Sequence, residues 1–516
     1  MPSNHRPALQ QRQSTAMSNR NSGGSCSLVL PLWLLLLLAI LRLPAAAVGS
    51  GHVVTGMRGF DGPLPFYLET GYVEVDERLG VQLFYYFVRS ERDPDEDPLV
   101  LWLSGGPGCS GISGLAYEIG PLQFDAEGYS GGFPTLLYRP EAWTKVSNII
   151  FVDSPVGTGF SYATSEEGLK TGDTKAVKQL LIFLRKWLQD HPQFLSNPLY
   201  IAGDSYSGLI VPSLTIEIDR CIELGEEPRF NLKGYIAGNP VTDIQFDTDG
   251  HIPYLHGMGL VSDELYEVVD HLMKVKMIYI IHFPAKVPDA LKITIKNARE
   301  NCGGKYSAPC SAACTEAIQA IDNCTRDINL QHILEPACPD ELWSPKTLAE
   351  TDGTSRVMLE SAVILSGFKC TQAKYILANI WGNDATIQES LGVRKGTIGT
   401  WIRFNRDLPY TGDIQSTVEY HSRLATKGYA ALIYSGDHDA GITLVGTQAW
   451  IRYLNLTIVD DWRPWYVGVQ QVAGFTRSYS SNLTFATVKG AGHIAPSYKP
   501  LECQIMFRRW ISQDPL

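Results

Sequence analysis

The stretch Leu199-Tyr200-Ile201-Ala202-Gly203-Asp204-Ser205-Tyr206-Ser207-Gly208 decides how the rest of the chain is read. Apolar residues run into Gly-Asp-Ser-Tyr-Ser-Gly, and Leu209 to Leu224 continues with helical character. A strand that enters a sharp turn and leaves as a helix lifts the central serine into a strained backbone state. The residues two places either side of it must then be small. Gly203 and Ser207 meet that need, with Ser207 standing where a second Gly is usual. Ser205 is therefore the candidate nucleophile.

Other apolar runs end the same way. Leu99 to Leu103 meets Ser104-Gly105-Gly106-Pro107-Gly108, and Asn148 to Val152 meets Asp153-Ser154-Pro155. Leu232 to Ala237 meets Gly238-Asn239-Pro240, Ala430 to Tyr434 meets Ser435-Gly436-Asp437, and Phe485 to Val488 meets Lys489-Gly490-Ala491-Gly492. Short apolar runs closed by turn residues fit strands buried on both faces. Thr174 to Leu188 lies between two such runs and carries apolar residues at helical spacing. Alternating strands and helices predict an α/β fold: a central mixed, mostly parallel sheet with helices on both faces. From about 243 to 375 the strand rhythm fades, helical stretches dominate and cysteines concentrate. The organisation expected is a leader at 1–47, a first core part at 48–242, an inserted, mainly helical cap at 243–375 and a second core part at 376–516.

A serine hydroxyl is a weak nucleophile. It needs a base, and the base needs a group to orient it. In hydrolases with this turn the order along the chain is Ser, then Asp or Glu, then His. Gly436-Asp437-His438-Asp439 offers two aspartates after a strand, and Gly490-Ala491-Gly492-His493 offers a histidine in a loop of small residues. The developing oxyanion needs two backbone N–H donors, one from the residue after the nucleophile and one from an early Gly-rich loop. Tyr206 and the Gly105-Gly106 turn are the candidates.

Bulk composition excludes some classes. The 516 residues are 44% hydrophobic and 19% charged, with a formal net charge of −11. An acidic body argues against nucleic acid as a partner, because phosphate binding needs a basic surface. The first 47 residues contain Arg6, Arg12, Arg20 and Arg42 without Asp or Glu, then an apolar run from Leu28 to Leu41 and small residues at Ala45–Ala47. Met17 is an alternative start within it. This is the layout of a signal peptide, and the run is short for a membrane span of about 20 residues. Export and removal of the leader are expected, with no stable membrane anchor left and an extracellular or vacuolar destination.

Beyond the leader nine cysteines remain, five of them between Cys302 and Cys338. In an oxidising compartment that cluster suits disulfides. Cys310-x-x-x-Cys314 has no partner pair to complete a metal set, so neither metal nor cofactor is expected. Asn323, Asn455 and Asn482 each open an Asn-x-Thr sequon and are candidate glycan sites.

Long blocks of this chain resemble the serine carboxypeptidase-like family, from about Phe66 to Trp510. The resemblance rests on Trp102 to Ser110, on Val152 to Tyr162, on the Ser205 turn, on Gly436-Asp437-His438-Asp439, and on Gly492-His493 with Ala495-Pro496. It implies Ser205 as nucleophile, His493 as base, Asp439 as orienting acid, and Gly106 and Tyr206 as oxyanion donors. It also implies substrate contacts at Ser104, Gly105, Glu118 and Asp204, and disulfides Cys109–Cys370, Cys302–Cys314 and Cys324–Cys338, leaving Cys221, Cys310 and Cys503 over.

The family's peptidases usually carry Asn and Glu where this chain has Ser104 and Asp204. Those groups grip a peptide's terminal carboxylate. Ser104 lacks the donating amide and Asp204 is one methylene shorter. With Leu68 to Val73, Ile252-Pro253-Tyr254 and His256 to Leu260, the chain is most similar to the plant acyltransferase branch. That branch moves acyl groups from glucose esters to an alcohol or amine. The resemblance thus implies small-molecule donor and acceptor as partners. A carboxypeptidase acting on peptide C-termini is the second expectation, and an inactive glycoprotein keeping the fold is the third. Ala440-Gly441-Ile442-Thr443 departs from the family's Pro-containing loop after the acid, and Val275 to Ile295 is extra sequence beside the family pattern.

Overall fold

The computed structural model describes residues 51–266, 312–338 and 371–516. Its scaffold is an eleven-stranded sheet. In chain order the strands are β1 (His52–Val54), β2 (Leu68–Asp76), β3 (Val81–Val88), β4 (Leu99–Leu103), β5 (Asn148–Val152), β6 (Leu199–Asp204), β7 (Leu232–Gly238), β8 (Ala430–Gly436), β9 (Ile458–Val467), β10 (Gln471–Tyr479) and β11 (Leu483–Val488). Their order across the sheet is β1-β2-β3-β5-β4-β6-β7-β8-β11-β10-β9. The run from β5 to β11 is parallel. The hairpins at both edges are antiparallel.

The parallel strands were legible because both of their faces are covered. In β4 every residue is buried. Val100 and Trp102 pack into one core layer, and Leu99, Leu101 and Leu103 into the other. Side chains alternate across a strand, so a strand with helices on both faces must be apolar throughout. On one face, α1 (Asp173–Asp190) and α2 (Ser207–Glu223) lay Leu180, Trp187, Val211 and Leu214 against the sheet. On the other, Met506 and Phe507 of a helix at Pro500–Ile511 pack in, with Phe507 stacked on Trp143 at 4.1 Å between ring centres.

Residues Gly49–Leu516 form one compact unit. Of the expected cap, the described parts include α3 (Ile244–Gly257) and α4 (Ala312–Thr325). Ile252, Leu255 and Ile321 there share a small apolar cluster with Ala440. The expected leader at 1–47 and the extra segment at 275–295 lie outside the described residues. Among the described residues no helix is long and apolar enough to cross a membrane.

Two expected disulfides are corrected. Cys109 and Cys324 carry free thiols, as do Cys221 and Cys503. Cys338 is disulfide-bonded. A sulfur closes one disulfide at a time, so the partner of Cys338 is a cysteine other than Cys324. The Cys109 thiol lies against Arg403 instead of a sulfur, and burial pushes its pKa up to about 11. Of the third pair, Cys302–Cys314, Cys302 lies outside the described residues. Asn323, Asn455 and Asn482 are all exposed, as a glycan site must be.

Candidate active site

The carboxyl ends of β4, β6, β7, β8 and β11 lie side by side. Leu103 is paired with Gly203, Asp204 with Gly238, Gly238 with Tyr434, and Gly436 with Val488. Open α/β sheets bind ligands beyond these ends. From them hang, in order, the Ser104–Gly106 loop, Ser205, Asn239, Asp439 and His493.

Ser205 has φ 56°, in the left-handed region. That conformation is costly for a residue with a Cβ and persists where its surroundings enforce it. Here the Ser205 amide donates to Gly238 O at 2.9 Å, and its carbonyl accepts from Val241 N at 2.9 Å and Gly208 N at 3.0 Å. Gly203 has no room for a side chain: a Cβ there would lie 2.3 Å from both Leu103 O and Ser207 Oγ. Ser207 fits in place of the usual Gly because its hydroxyl turns back and donates to Asp204 O at 2.6 Å.

His493 Nε2 is 2.7 Å from Ser205 Oγ, and His493 Nδ1 is 2.7 Å from Asp439 Oδ2. Burial alone would lower the imidazole pKa. The Asp439 charge and hydrogen bond more than offset that and hold it above the ordinary value. Asp437, the other candidate acid, serves elsewhere: its Oδ1 accepts from Gly490 N and pairs with His438 Nδ1, both at 2.6 Å.

The altered loop after Asp439 is part of the support. Asp439 Oδ1 accepts from Gly441 N at 2.8 Å and Ile442 N at 3.2 Å. A segment from the expected cap ties the acid loop to the base loop. Leu330 O accepts from the Ala440 and Gly441 amides, both at 2.9 Å, and Gln331 O accepts from His493 N at 2.7 Å.

The Gly-rich loop abuts the nucleophile. A Cβ on Gly105 would lie 2.6 Å from Ser205 Cβ and 2.9 Å from Tyr206 N. Gly106, with φ 118°, follows in a conformation that favours glycine. The Tyr206 ring is fixed at its far end, where the hydroxyl donates to Asp173 Oδ1 at 2.9 Å.

Behind the nucleophile lie two buried carboxyls. Asp204 Oδ1 accepts from Gly105 N at 3.2 Å. Glu118 Oε2 accepts from Trp102 Nε1 at 2.7 Å and from Ser104 Oγ at 3.2 Å. Burial raises the Glu118 pKa to about 7. Burial, and then the charge of Glu118, raise that of Asp204 well above the carboxylate range. Like charges on two buried carboxyls oppose each other's ionisation.

A cavity of about 150 Å³ opens over Ser205, with Glu118, Asp204, Tyr375, Arg403, Arg406 and His493 among its lining residues. The two arginines were not expected from sequence. Arg403 is buried, donates from Nη1 to Ser113 Oγ at 2.8 Å and lies 3.9 Å over the Tyr375 ring. Its stretch, Trp401-Ile402-Arg403-Phe404, carries no motif. An arginine among apolar residues is the one signal there. Asn239 was also missed as a site residue, although Gly238-Asn239-Pro240 closes a buried strand. Among the described residues no cluster of His, Cys, Asp and Glu is arranged to hold a metal ion.

A nucleophile in a forced turn, a base within reach, a buried acid behind it and backbone donors beside it define a serine hydrolase of the α/β-hydrolase type. The pattern of the serine carboxypeptidase family matches residues 58–513, and the chain belongs to that family. Serine carboxypeptidase-like 7 of Arabidopsis thaliana is 44% identical over 93% of this chain and 98% of that relative. Serine carboxypeptidase-like 19 of the same plant is 44% identical over 91% and 96%. Among solved structures, a prohormone-processing carboxypeptidase from Saccharomyces cerevisiae shares the fold, with TM-score 0.64 at 17% identity over 90% of this chain and 96% of that one.

Proposed function

We propose that the protein is an acyltransferase that takes an acyl group from a 1-O-glucose ester and passes it, through an acyl-enzyme on Ser205, to an alcohol or amine. The observation that carries this reading is the state of Ser104 and Asp204. The Ser104 hydroxyl is spent on Glu118, and Asp204 Oδ1 is spent on Gly105 N. Ser104 thus lacks the amide donor that would grip a peptide's terminal carboxylate, and Asp204 is one methylene shorter than the acid that works beside it.

The steps follow from the geometry. His493 Nε2 takes the Ser205 proton as Oγ attacks the ester carbonyl. Asp439 steadies the imidazolium, and the Gly106 and Tyr206 amides face the oxyanion. Glucose leaves with the proton from His493. The acceptor hydroxyl or amine then gives its proton to His493, attacks the acyl-enzyme and restores Ser205. Gly105, Glu118 and Asp204 line the cavity, and Ser104 stands behind them on Glu118. Small-molecule donor and acceptor are the partners, and the leader supports export to an extracellular or vacuolar compartment.

The second reading is a carboxypeptidase. Arg403 in the cavity wall favours it, because a guanidinium suits a carboxylate. Purified protein given a glucose ester with candidate acceptors and, separately, a blocked dipeptide distinguishes the two. Transfer without peptide cleavage is expected. Peptide cleavage without transfer overturns the proposal.

A further inference from the structure

We propose that Asn239 is a positioning residue for the acid–base pair. Its side chain ties the end of β8 to the Asp439 carboxylate and holds that carboxylate aimed at His493. The inference rests on the serine-nucleophile reading above.

Asn239 follows β7, is fully buried and has φ 39°. Asn tolerates the left-handed region better than most residues do. Its backbone N donates to Tyr434 O at 2.7 Å. Oδ1 accepts from Gly436 N at 3.0 Å, and Nδ2 donates to Asp439 Oδ2 at 2.8 Å. Chemistry fixes the orientation of the amide: a backbone N–H needs the oxygen, and a carboxylate accepts only from the nitrogen.

Asp439 Oδ2 is also the atom 2.7 Å from His493 Nδ1. The oxygen that orients the base therefore has a second donor, and that donor is Asn239. Hydrogen bonds replace the hydration that a carboxylate loses on burial. Without the Asn239 donor, Oδ2 would keep His493 alone. The proton would be held more tightly between them, and the carboxylate would be free to turn about its Oδ1 bonds to Gly441 and Ile442.

Asn239→Asp is the discriminating variant, because it keeps the shape, the tolerance of positive φ and the acceptor for Gly436 N. When protonated, its carboxyl donates to Asp439 as the amide does. When ionised, it sets a second negative charge against Asp439 and donates nothing. Among the described residues, other titratable groups bearing on Asp439 are Asp247, His251 and Tyr254 from α3 and Tyr498 from the short helix Ala495–Tyr498 after His493. All are common to both proteins and cancel in a ratio.

The experiment measures the rate of Ser205 labelling by a fluorophosphonate, variant over wild type, between pH 5 and pH 7.5. Thermal melts at both pH values correct for the folded fraction. The expected ratio is near unity at pH 5 and falls about tenfold or more by pH 7.5, with Asn239→Ala slow throughout. A ratio that does not change with pH, at either high or low level, overturns the role of Asn239. An unlabelled wild-type protein overturns the serine-nucleophile reading instead, so the two failures are distinct.

Discussion

The Ser104 hydroxyl donates to Glu118 Oε2 at 3.2 Å, which joins the Gly-rich loop to a buried carboxyl of the cavity wall. Glu118 and Asp204 are both buried, and the cost of burying their charge sets a pH dependence.

Stability falls as pH rises through the range where these two carboxyls ionise. Glu118 is raised from 4.5 to about 7. An acid raised in the folded state keeps its proton where the unfolded chain has lost it. Its stabilising contribution is complete below pH 4.5 and is lost as pH climbs through about 7. Asp204→Asn removes one of the two charges and should flatten the slope between pH 5 and 7.5, by on the order of 2 kcal/mol. Denaturant melts at the two pH values measure it, and an unchanged slope contradicts the opposition between the two charges.

Ser205→Gly should stabilise the fold while abolishing fluorophosphonate labelling. The left-handed φ of 56° is costly for serine and free for glycine. A gain of about 1 kcal/mol is expected, against no such gain for Ser205→Ala, which keeps the Cβ. Equal melting of the Ala and Gly variants would refute the strain.

Gly105→Ala should cripple acylation. Its Cβ would sit 2.6 Å from Ser205 Cβ and 2.9 Å from Tyr206 N, so the loop must withdraw from the oxyanion position. Loss of one such donor costs roughly 100- to 1,000-fold in rate. Pre-steady-state acylation with an activated ester reads this directly, and a loss under threefold would remove the loop from the mechanism.

Restoring the amide and the longer acid should shift the preference between substrates. Ser104→Asn with Asp204→Glu supplies the donor that Ser104 lacks and extends the acid by a methylene. The ratio of dipeptide cleavage to ester transfer should rise about tenfold, or ~1.4 kcal/mol of differential transition-state binding. A ratio that stays level would show that these positions do not set the choice.

Legibility in the sequence followed burial. Strands β4 to β8 and β11 are covered on both faces, so they read as unbroken apolar runs, and the turns after them marked Ser205, Asp439 and His493. The edge hairpins escaped. β9 leaves Val459 and Trp462 exposed and contains Pro464, so neither a continuous run nor a clean alternation is present. Asn239 and Arg403 escaped for another reason. Each acts through a partner remote in sequence, Asp439 and Tyr375, and only the fold brings them together. The choice between Asp437 and Asp439 rested on family resemblance, because both follow the same strand. Geometry separates them, since Asp437 faces Gly490 and His438. Cysteine spacing misled for Cys109 and Cys324, because spacing carries no information on which sulfur each one meets.

The central claim is an acyl-enzyme on Ser205, formed from a glucose ester and discharged to an acceptor. Mass spectrometry of protein quenched during turnover of a 1-O-acyl glucose tests it most directly. The prediction is an acyl adduct on the peptide bearing Ser205 that disappears when an alcohol or amine acceptor is added, with the matching ester or amide released. Absence of the adduct, together with C-terminal trimming of a blocked dipeptide by the same preparation, would contradict it.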